Sequence, residues 1–444
     1  MKKIIVAGGG HGGIAVASIL ASRGYDVTVY EKNAEGELGH DWTDIFAPKA
    51  FSEIFMPMPP EEKYEYKKNM TFYAPGFHTP LRQYIPEDKR EIKMERRDIY
   101  AHIIENAVKN GAKFVYDCEV IAPLTAGNRI IGIKTSKGDF FADLVIDACG
   151  IDSPVKNGLP KMCKVNPDTG KNNCLYVYRA FLDKASDEMP EDTHKIYLFA
   201  EGKLGISWVA VEENHSDILI GRFEEFDSDE IVRTQDYFRE TNPALGTEVL
   251  RGGKFVKIPV RQPLSRLVCD GYAAIGDSAY MTVPIIGSGI ANCFKAARLL
   301  CDVISADVDG EYSSRTLWDY QVAYYQKLGN GFAVLACIKE ALTVLTPDEI
   351  DYLFDNGIIT AQDMSIDSDC TTIGDILGGG SFEDLKTKVT GVVKDTVLLK
   401  KLLKVIKKAA AAIAVTSVMP KTYSPALCDK WVDAYEKTIN MSIK

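Results

Sequence analysis

The feature that most constrains the fold is a cluster of glycines that follows the first apolar run of the chain. Residues Ile4–Ala7 have the uninterrupted apolar character of a buried strand, and Gly8, Gly10 and Gly13 follow in the pattern G-x-G-x-x-G. Residues Ile14–Ser22 then have the apolar periodicity of a helix. This order of strand, glycine turn and helix predicts the first half of a β-α-β unit.

Each glycine of this turn has its own task. Gly8 lets the backbone turn sharply, Gly10 lets a pyrophosphate approach the main chain, and Gly13 lets the helix pack closely on the strand. Gly12 is assigned to the same turn. The free amides at the helix N-terminus attract phosphate groups because the helix dipole adds partial positive charge there.

An acidic residue follows at the distance expected for a nucleotide site. The second apolar run, Val27–Tyr30, ends at Glu31, about 20 residues beyond the turn, where a carboxylate accepts hydrogen bonds from ribose hydroxyls. These residues, with Lys32 beside them, predict a dinucleotide site. The alternative is a glycine-rich turn that binds nothing.

Length and charge narrow the class of protein. At 444 residues the chain is long enough for two or three packed units, and its net charge of −10 argues against general nucleic-acid binding. The ten cysteines contain no C-x-x-C pair, so we predict no metal site. Scattered cysteines without a secretory signal favour a cytoplasmic location.

A second glycine motif lies far from the first. Within DGYAAIGDSAYMTVPIIGSGIANCFKAARLL, an apolar strand runs into Gly276-Asp277, and a turn with Gly287 and Gly289 leads into a helix at Ile290. Asp277 is placed to accept from a polyol hydroxyl, and the amides of this turn face a partly negative group. Two such sites used together predict one elongated ligand, whereas each alone is also compatible with an ordinary turn.

The combined motifs resemble those of a known family. The glycine pattern with Glu31, the helix that opens R-x-x-Y-x-x-x-I at Arg97, the segment DLVIDACG, and the Gly-Asp turn with P-x-x-G-x-G-I are similar to the FAD-dependent oxidoreductases of the p-hydroxybenzoate hydroxylase fold. Within that group the chain most resembles the geranylgeranyl reductases. The resemblance implies that Arg97 and Gly150 help to hold FAD, that Val120 lies beside the adenine, and that Gly289 and Ile290 lie near the isoalloxazine ring.

The pattern of strands and helices predicts an α/β fold with three parts. A Rossmann-like FAD-binding domain is assigned to residues 1–50, 87–155 and 258–330. An α+β substrate domain with an antiparallel sheet is assigned to 51–86 and 156–257, because residues 174–223 contain short aromatic and β-branched segments. Residues 331–444 are assigned to a helical C-terminal region.

The candidate catalytic residues lie in the segment GELGHDWTDIF. His40 is predicted to donate a proton near neutral pH, Trp42 to stack on a flavin or substrate, and Asp44 to take part with them; the alternative is a solvated surface loop. Trp208, Tyr178 and His78 are the candidates for the substrate pocket. Strand aromatics are core residues by default, and His78 fits a turn.

These observations favour an FAD enzyme that reduces or dehydrogenates a C–C double bond of an apolar, isoprenoid-like substrate. The electron donor would be NAD(P)H or a ferredoxin-like protein. The alternatives are a flavin mono-oxygenase, a dehydrogenase that passes electrons to a protein carrier, and a non-catalytic binding protein. The basic amphipathic helix over 398–408 allows peripheral contact with an anionic membrane, or simple packing on the body.

Overall fold

The chain folds around two large sheets whose strands come from distant parts of the sequence. The computed structural model describes residues 2–168, 170–365 and 381–443. The strands, in chain order, are β1 (Lys3–Ala7), β2 (Asp26–Tyr30), β3 (Thr43–Phe46), β4 (Tyr64–Tyr66), β5 (Thr71–Tyr73), β6 (Leu81–Arg82), β7 (Ile92–Glu95), β8 (Lys113–Val115), β9 (Val120–Ala126), β10 (Arg129–Thr135), β11 (Gly138–Phe141), β12 (Leu144–Asp147), β13 (Cys174–Lys184), β14 (His194–Leu198), β15 (Gly205–Val211), β16 (Ser216–Arg222), β17 (Leu245–Pro259), β18 (Val268–Cys269) and β19 (Tyr272–Ala274).

The helices surround these sheets and form most of the C-terminal part. They are α1 (His11–Ser22), α2 (Ala50–Glu53), α3 (Arg96–Lys109), α4 (Pro154–Asn157), α5 (Ser228–Thr241), α6 (Ile290–Ala306), α7 (Ser314–Tyr324), α8 (Asn330–Leu342), α9 (Pro347–Asp355), α10 (Phe382–Val392), α11 (Thr396–Ser417) and α12 (Pro425–Ile439). A π-helical turn, Tyr325–Gly329, joins α7 to α8.

The six-stranded sheet has the order β18-β19-β12-β1-β2-β8, and it is parallel except for the β18–β19 pair. Its central strand β1 is almost entirely buried, as a parallel strand covered on both faces must be. Helix α1 packs between this sheet, α3 and α6. Both glycine motifs therefore lie at the carboxyl edge of one sheet, where such folds bind ligands.

The second large sheet is mainly antiparallel and has the order β17-β13-β16-β15-β14-β5-β6. Helix α5 covers one face, with Ile231 and Phe238 in a core that includes Val209 and Ile218. The opposite face contributes to the cavity described below. A third, small sheet has the order β3-β7-β4. It connects the two larger sheets: β3 follows β2 in the chain and β7 leads into α3, while Arg179 of β13 donates a hydrogen bond to Thr43 of β3.

The predicted fold class is confirmed, and several element boundaries are corrected. Residues 51–86 divide between two sheets: β5 and β6 join the large antiparallel sheet, whereas β4 joins the small one. Strand β11 pairs with β10, whereas β12, which follows it closely in the chain, enters the parallel sheet. The C-terminal part contains separate helices α10 and α11 rather than one continuous helix.

Among the described residues no single helix is long and apolar enough to cross a membrane. Two helical segments, Ser314–Leu342 and Pro347–Asp355, are together long and apolar enough for such a span, but they are bent by 114° relative to each other. Most of α8 is buried against the body of the protein.

Candidate active site

One continuous cavity of 1910 Å³ connects the two glycine motifs to the antiparallel sheet and the C-terminal helices. Pockets for single small ligands are typically about 300–1,000 Å³, so this cavity has room for a large cofactor together with a substrate. Its first end is lined by Gly10, His11, Gly12, Gly13, Lys32, Gly150, Gly276, Asp277, Gly287, Gly289 and Ile290. The cavity thus brings together most of the residues that the sequence assigns to the cofactor.

The first glycine turn is shaped by close backbone contacts. Gly8 has a φ of +95°, and a Cβ there would lie 2.5 Å from the carbonyl oxygen of Ala148. A Cβ on Gly13 would lie 2.6 Å from the carbonyl oxygen of Gly8. At Gly10, the N-cap of α1, a Cβ would meet only the Ala148 oxygen, at 3.4 Å. Space for a ligand therefore remains open at Gly10.

Both helix N-termini at this end lack a capping side chain. Gly10 precedes α1 and Gly289 precedes α6, and neither helix has an acidic residue in its first turn. The first amides of a helix have no partner within the helix, and the helix dipole makes this end partly positive. Two such ends on one cavity fit a ligand with two separate electron-rich parts.

Asp277 lies at the same end of the cavity. Its Oδ1 accepts a hydrogen bond of 2.7 Å from Thr282 Oγ1, and the other carboxylate oxygen is left to accept from a ligand. Burial raises the pKa of Asp277 above its usual value, although Thr282 and Arg96 lower it. The turn before it needs a left-handed Gly276, with a φ of +65°.

Four predicted cofactor residues do not line the cavity, and Gly8, which forms the turn beside it, is one of them. Glu31 is buried, and its carboxylate accepts from the amides of Gly9 at 2.7 Å and Asn33 at 2.9 Å. These two bonds leave lone pairs for a ribose hydroxyl, so its role stays a prediction. Val120 is in the apolar core beside β10. Arg97 is exposed on α3 and faces away from the cavity.

Arg96, rather than Arg97, faces the cavity. One residue of helix turns a side chain by about 100°, so only one of two successive arginines can point inward. The guanidinium of Arg96 donates two hydrogen bonds to Asp44, of 2.7 and 2.5 Å. Burial raises the pKa of Asp44, but the Arg96 charge outweighs it and holds that pKa below the usual value.

The segment around Trp42 forms one wall of the cavity. The rings of His40 and Trp42 lie 5.3 Å apart, and Trp42 lies between the guanidinium groups of Arg96 at 5.3 Å and Arg179 at 5.5 Å. Burial and the nearby charges of Arg96 and Lys254 lower the pKa of His40 to about 4. The imidazole of His40 is therefore mainly neutral at neutral pH, and its role as a proton donor stays a prediction.

His11, in the first glycine turn, is also neutral. Its ring stacks on Tyr100 with a centroid distance of 4.3 Å, and burial lowers its pKa to about 4. Cys149 lines the cavity next to Gly150, and burial raises the pKa of its thiol. Neither residue carries charge at neutral pH.

The sequence of the chain is similar to those of known proteins. The family of NAD(P)-binding Rossmann-like domains matches residues 6–49. The digeranylgeranylglycerophospholipid reductase of Sulfolobus acidocaldarius is 21% identical, with 81% of this chain and 82% of that protein covered. The enzyme of the same name from Haloferax volcanii is 24% identical, with 73% and 80% covered.

A solved structure supports the same relationship at the level of fold. A geranylgeranyl bacteriochlorophyll reductase-like protein from Thermoplasma acidophilum superimposes with a TM-score of 0.73 at 19% identity, covering 88% of this chain and 99% of that chain. The chain is similar in sequence to these two reductases and has the fold of the reductase-like protein. The FAD-dependent chondrochloren halogenase of a myxobacterium has a TM-score of 0.59 at 17% identity, with 90% and 99% covered, and shares the fold only.

A flavin is therefore the group expected in this reductase-like protein, and the cavity fits it. The open cradle at Gly10 and the two uncapped helix ends suit phosphates and the electron-rich edge of a ring system. Asp277 offers a carboxylate to a polyol chain. In residues 2–168, 170–365 and 381–443 no group of three or more metal-binding side chains is found.

The three candidates for the substrate pocket lie in different parts of the structure, and only one of them lines the cavity. Trp208 lines the cavity, together with Val177 and Arg179 of β13. Tyr178 is on the opposite face, in the core beneath α5, because successive strand residues alternate between faces. His78 is on the surface, where its Nδ1 lies 3.2 Å from Asp355 Oδ2. The predictions for Tyr178 and His78 are thus corrected.

A buried ion pair beneath the Trp42 wall was missed. Arg179 donates to both oxygens of Asp217, at 2.9 and 2.6 Å, and to the carbonyl and hydroxyl oxygens of Thr43, at 2.7 and 2.6 Å. Its guanidinium is also 5.3 Å from the ring of Trp208. The available signal was a single charged residue, an arginine, within the apolar strand LYVYRAFL. Arg179 joins the substrate sheet to the segment that walls the cofactor end.

The far end of the cavity is apolar and is walled by the C-terminal helices. It is lined by Leu335, Ile338 and Leu342 of α8 and by Leu402, Val405 and Ile406 of α11, and these two helices pack directly against each other. The leucine face of the predicted amphipathic helix is thus turned inward. Lys401 pairs with Glu349 at 2.7 Å and Lys408 with Glu340 at 2.6 Å, so these lysines hold α11 to the body.

Proposed function

We propose that the protein is an FAD-dependent reductase that saturates C–C double bonds in an isoprenoid chain. The observation that carries the proposal is the continuity of the cavity from the two glycine motifs to an apolar limb. The reductase names of the relatives supply the reaction class. Bound FAD supplies hydride transfer to the substrate carbon.

One set of residues would bind the cofactor, and another would keep water away from the substrate. The Gly10 turn and the amides of α1 would hold the pyrophosphate, Arg96 would add positive charge, and Asp277 would bind the ribityl chain. The apolar limb would hold the isoprenoid chain away from water. His40 and Asp44 orient their neighbours rather than donate protons, because one is neutral and the other is ion-paired at neutral pH.

The first experiment measures flavin occupancy. Purified protein should have flavin absorbance or should gain thermal stability with added FAD, and Asp277→Ala and Gly10→Val should lower occupancy. Gly10→Val tests the site directly. A Cβ at this position meets only the Ala148 oxygen at 3.4 Å, so the fold can accept it, but the two methyl groups of valine would enter the cavity. Full occupancy in both folded variants would place the ligand elsewhere.

The second experiment measures the reaction. The holoprotein is reduced anaerobically with NADH, NADPH or reduced ferredoxin and is then mixed with geranylgeranyl lipids and with enones. Reoxidation of the flavin with formation of a saturated product supports the reductase. Reoxidation that requires oxygen and yields a hydroxylated product would favour the mono-oxygenase instead.

We also propose an electron donor and a cellular location for the protein. The ferredoxin-like donor and NAD(P)H are distinguished by the reduction step above.

We place the protein in the cytoplasm with electrostatic contact to anionic membranes through the exposed side of α11, which includes Lys400 and Lys407. Sedimentation with phosphatidylglycerol vesicles that is lost at high salt and in Lys400→Gln/Lys407→Gln would support the contact, and binding unaffected by both would exclude it.

A further inference from the structure

The apolar limb of the cavity begins beside the second glycine motif. Leu335 of α8 lines the cavity and packs with Val283 and Phe332, next to Ile285. From there Ile338, Ala341 and Leu342 continue along α8 at helical spacing, and all of them line the cavity. One stripe of α8 therefore forms a wall that leads away from the cofactor end.

Helix α11 packs directly against α8, lines the limb beside it and runs in the opposite direction. The ion pairs show this, because Lys408 meets Glu340 whereas Lys401 meets Glu349, further along the chain. Val405 and Leu402 of α11 thus lie progressively further from the cofactor end. Ile350 and Leu353 of α9 and Leu385 and Val389 of α10 close the outer part of the limb.

Ala341 has the smallest side chain among the α8 residues that face the limb. The rise of 1.5 Å per residue places it about 9 Å beyond Leu335 along the helix axis, and the chain then continues to Leu345 at the outer part of the limb. Ala341 is only partly buried, so its methyl group borders open space. A large side chain at this point would occupy the middle of the limb.

We propose that Ala341 determines the length of the isoprenoid chain that the protein accepts. This inference rests on the proposed function. A substrate whose reacting bond is at the cofactor end must pass Ala341 once its chain exceeds the inner part of the limb. The small side chain therefore permits long chains, and a large one restricts the enzyme to short chains.

The test compares Ala341→Phe with wild type on geranyl, farnesyl and geranylgeranyl substrates that share one head group. We expect similar kcat/KM for geranyl substrates and a loss of about 100-fold for geranylgeranyl substrates, since losing the fit of even one methylene costs about 10–200-fold. Binding of the saturated geranylgeranyl chain, measured by calorimetry, should weaken in parallel. Ala410→Phe is the matched control, because Ala410 is on α11 but is exposed.

The outcomes separate the two proposals. If wild type reduces no substrate of any length, the proposed function fails. If wild type reduces all lengths and Ala341→Phe has the same length profile, or loses all lengths equally, the length determinant is overturned. Flavin occupancy and a cooperative melt show whether Ala341→Phe is folded. If it is not folded, Ala341→Leu is used instead, and we expect a smaller loss of kcat/KM for geranylgeranyl substrates.

Discussion

Arg179→Met is predicted to destabilise the fold strongly and to loosen the wall around Trp42. The substitution removes the guanidinium but keeps an apolar stem of similar length. It leaves the carboxylate of Asp217 with 3% exposure and without its cation, and it deprives the Thr43 carbonyl of a donor. Breaking one half of a buried ion pair typically costs about 3–5 kcal/mol of unfolding free energy.

The pH dependence has a defined sign. Burial raises the pKa of Asp217, but Arg179 outweighs this and holds it below its usual value. The stabilisation from this pair is therefore present above the unfolded pKa and is lost as the pH falls through the folded pKa. Without Arg179, burial is opposed only by the smaller effects of Lys93 and His194, and the pKa of Asp217 rises. The difference between Arg179→Met and wild type should thus be largest at neutral pH and shrink on acidification.

Urea denaturation followed by tryptophan fluorescence measures these differences, with Asp217→Asn and the double variant completing the cycle. The double variant should recover part of the loss, because no unpaired charge is then left buried. Additive losses, or a loss below about 1 kcal/mol for Arg179→Met, would refute the role assigned to the pair.

Three further predictions concern the cofactor end. Arg96→Met should weaken FAD affinity about tenfold or more in a fluorescence titration, whereas Arg97→Met should not, since only Arg96 faces the cavity. Gly13→Ala should lower the melting temperature by several degrees, because its Cβ would meet backbone at 2.6 Å; Gly12→Ala, whose contacts are side chains at 3.3 Å, should change it little, and equal effects would contradict the packing argument. His40→Gln should leave the pH profile of activity unchanged between about pH 6 and about pH 8, because the pKa of His40 is lowered to about 4; loss of a titration in that range would show that His40 is the ionising group.

Local sequence patterns were sufficient to predict the elements whose signals lie within a few neighbouring residues. The first strand, turn and helix were predicted within a few residues, because apolar runs and glycines act over short distances. Orientation was harder to predict. The motif R-x-x-Y selects Arg97, whereas the side chain that faces the cavity is that of Arg96, one residue earlier on α3. Tyr178 was assigned to the wrong face because an alternating strand does not state which of its faces meets a cavity.

The sequence by itself determined the cofactor half of this protein. The two glycine motifs carry their chemistry in adjacent residues, so their turns and helix ends could be inferred without knowledge of the rest. Only the tertiary structure decided the substrate half. The ion pair of Arg179 with Asp217, the inward face of α11 and the limb lined by Ala341 all join residues that are distant in the chain. Such contacts depend on how whole elements pack, and no short segment contains that information.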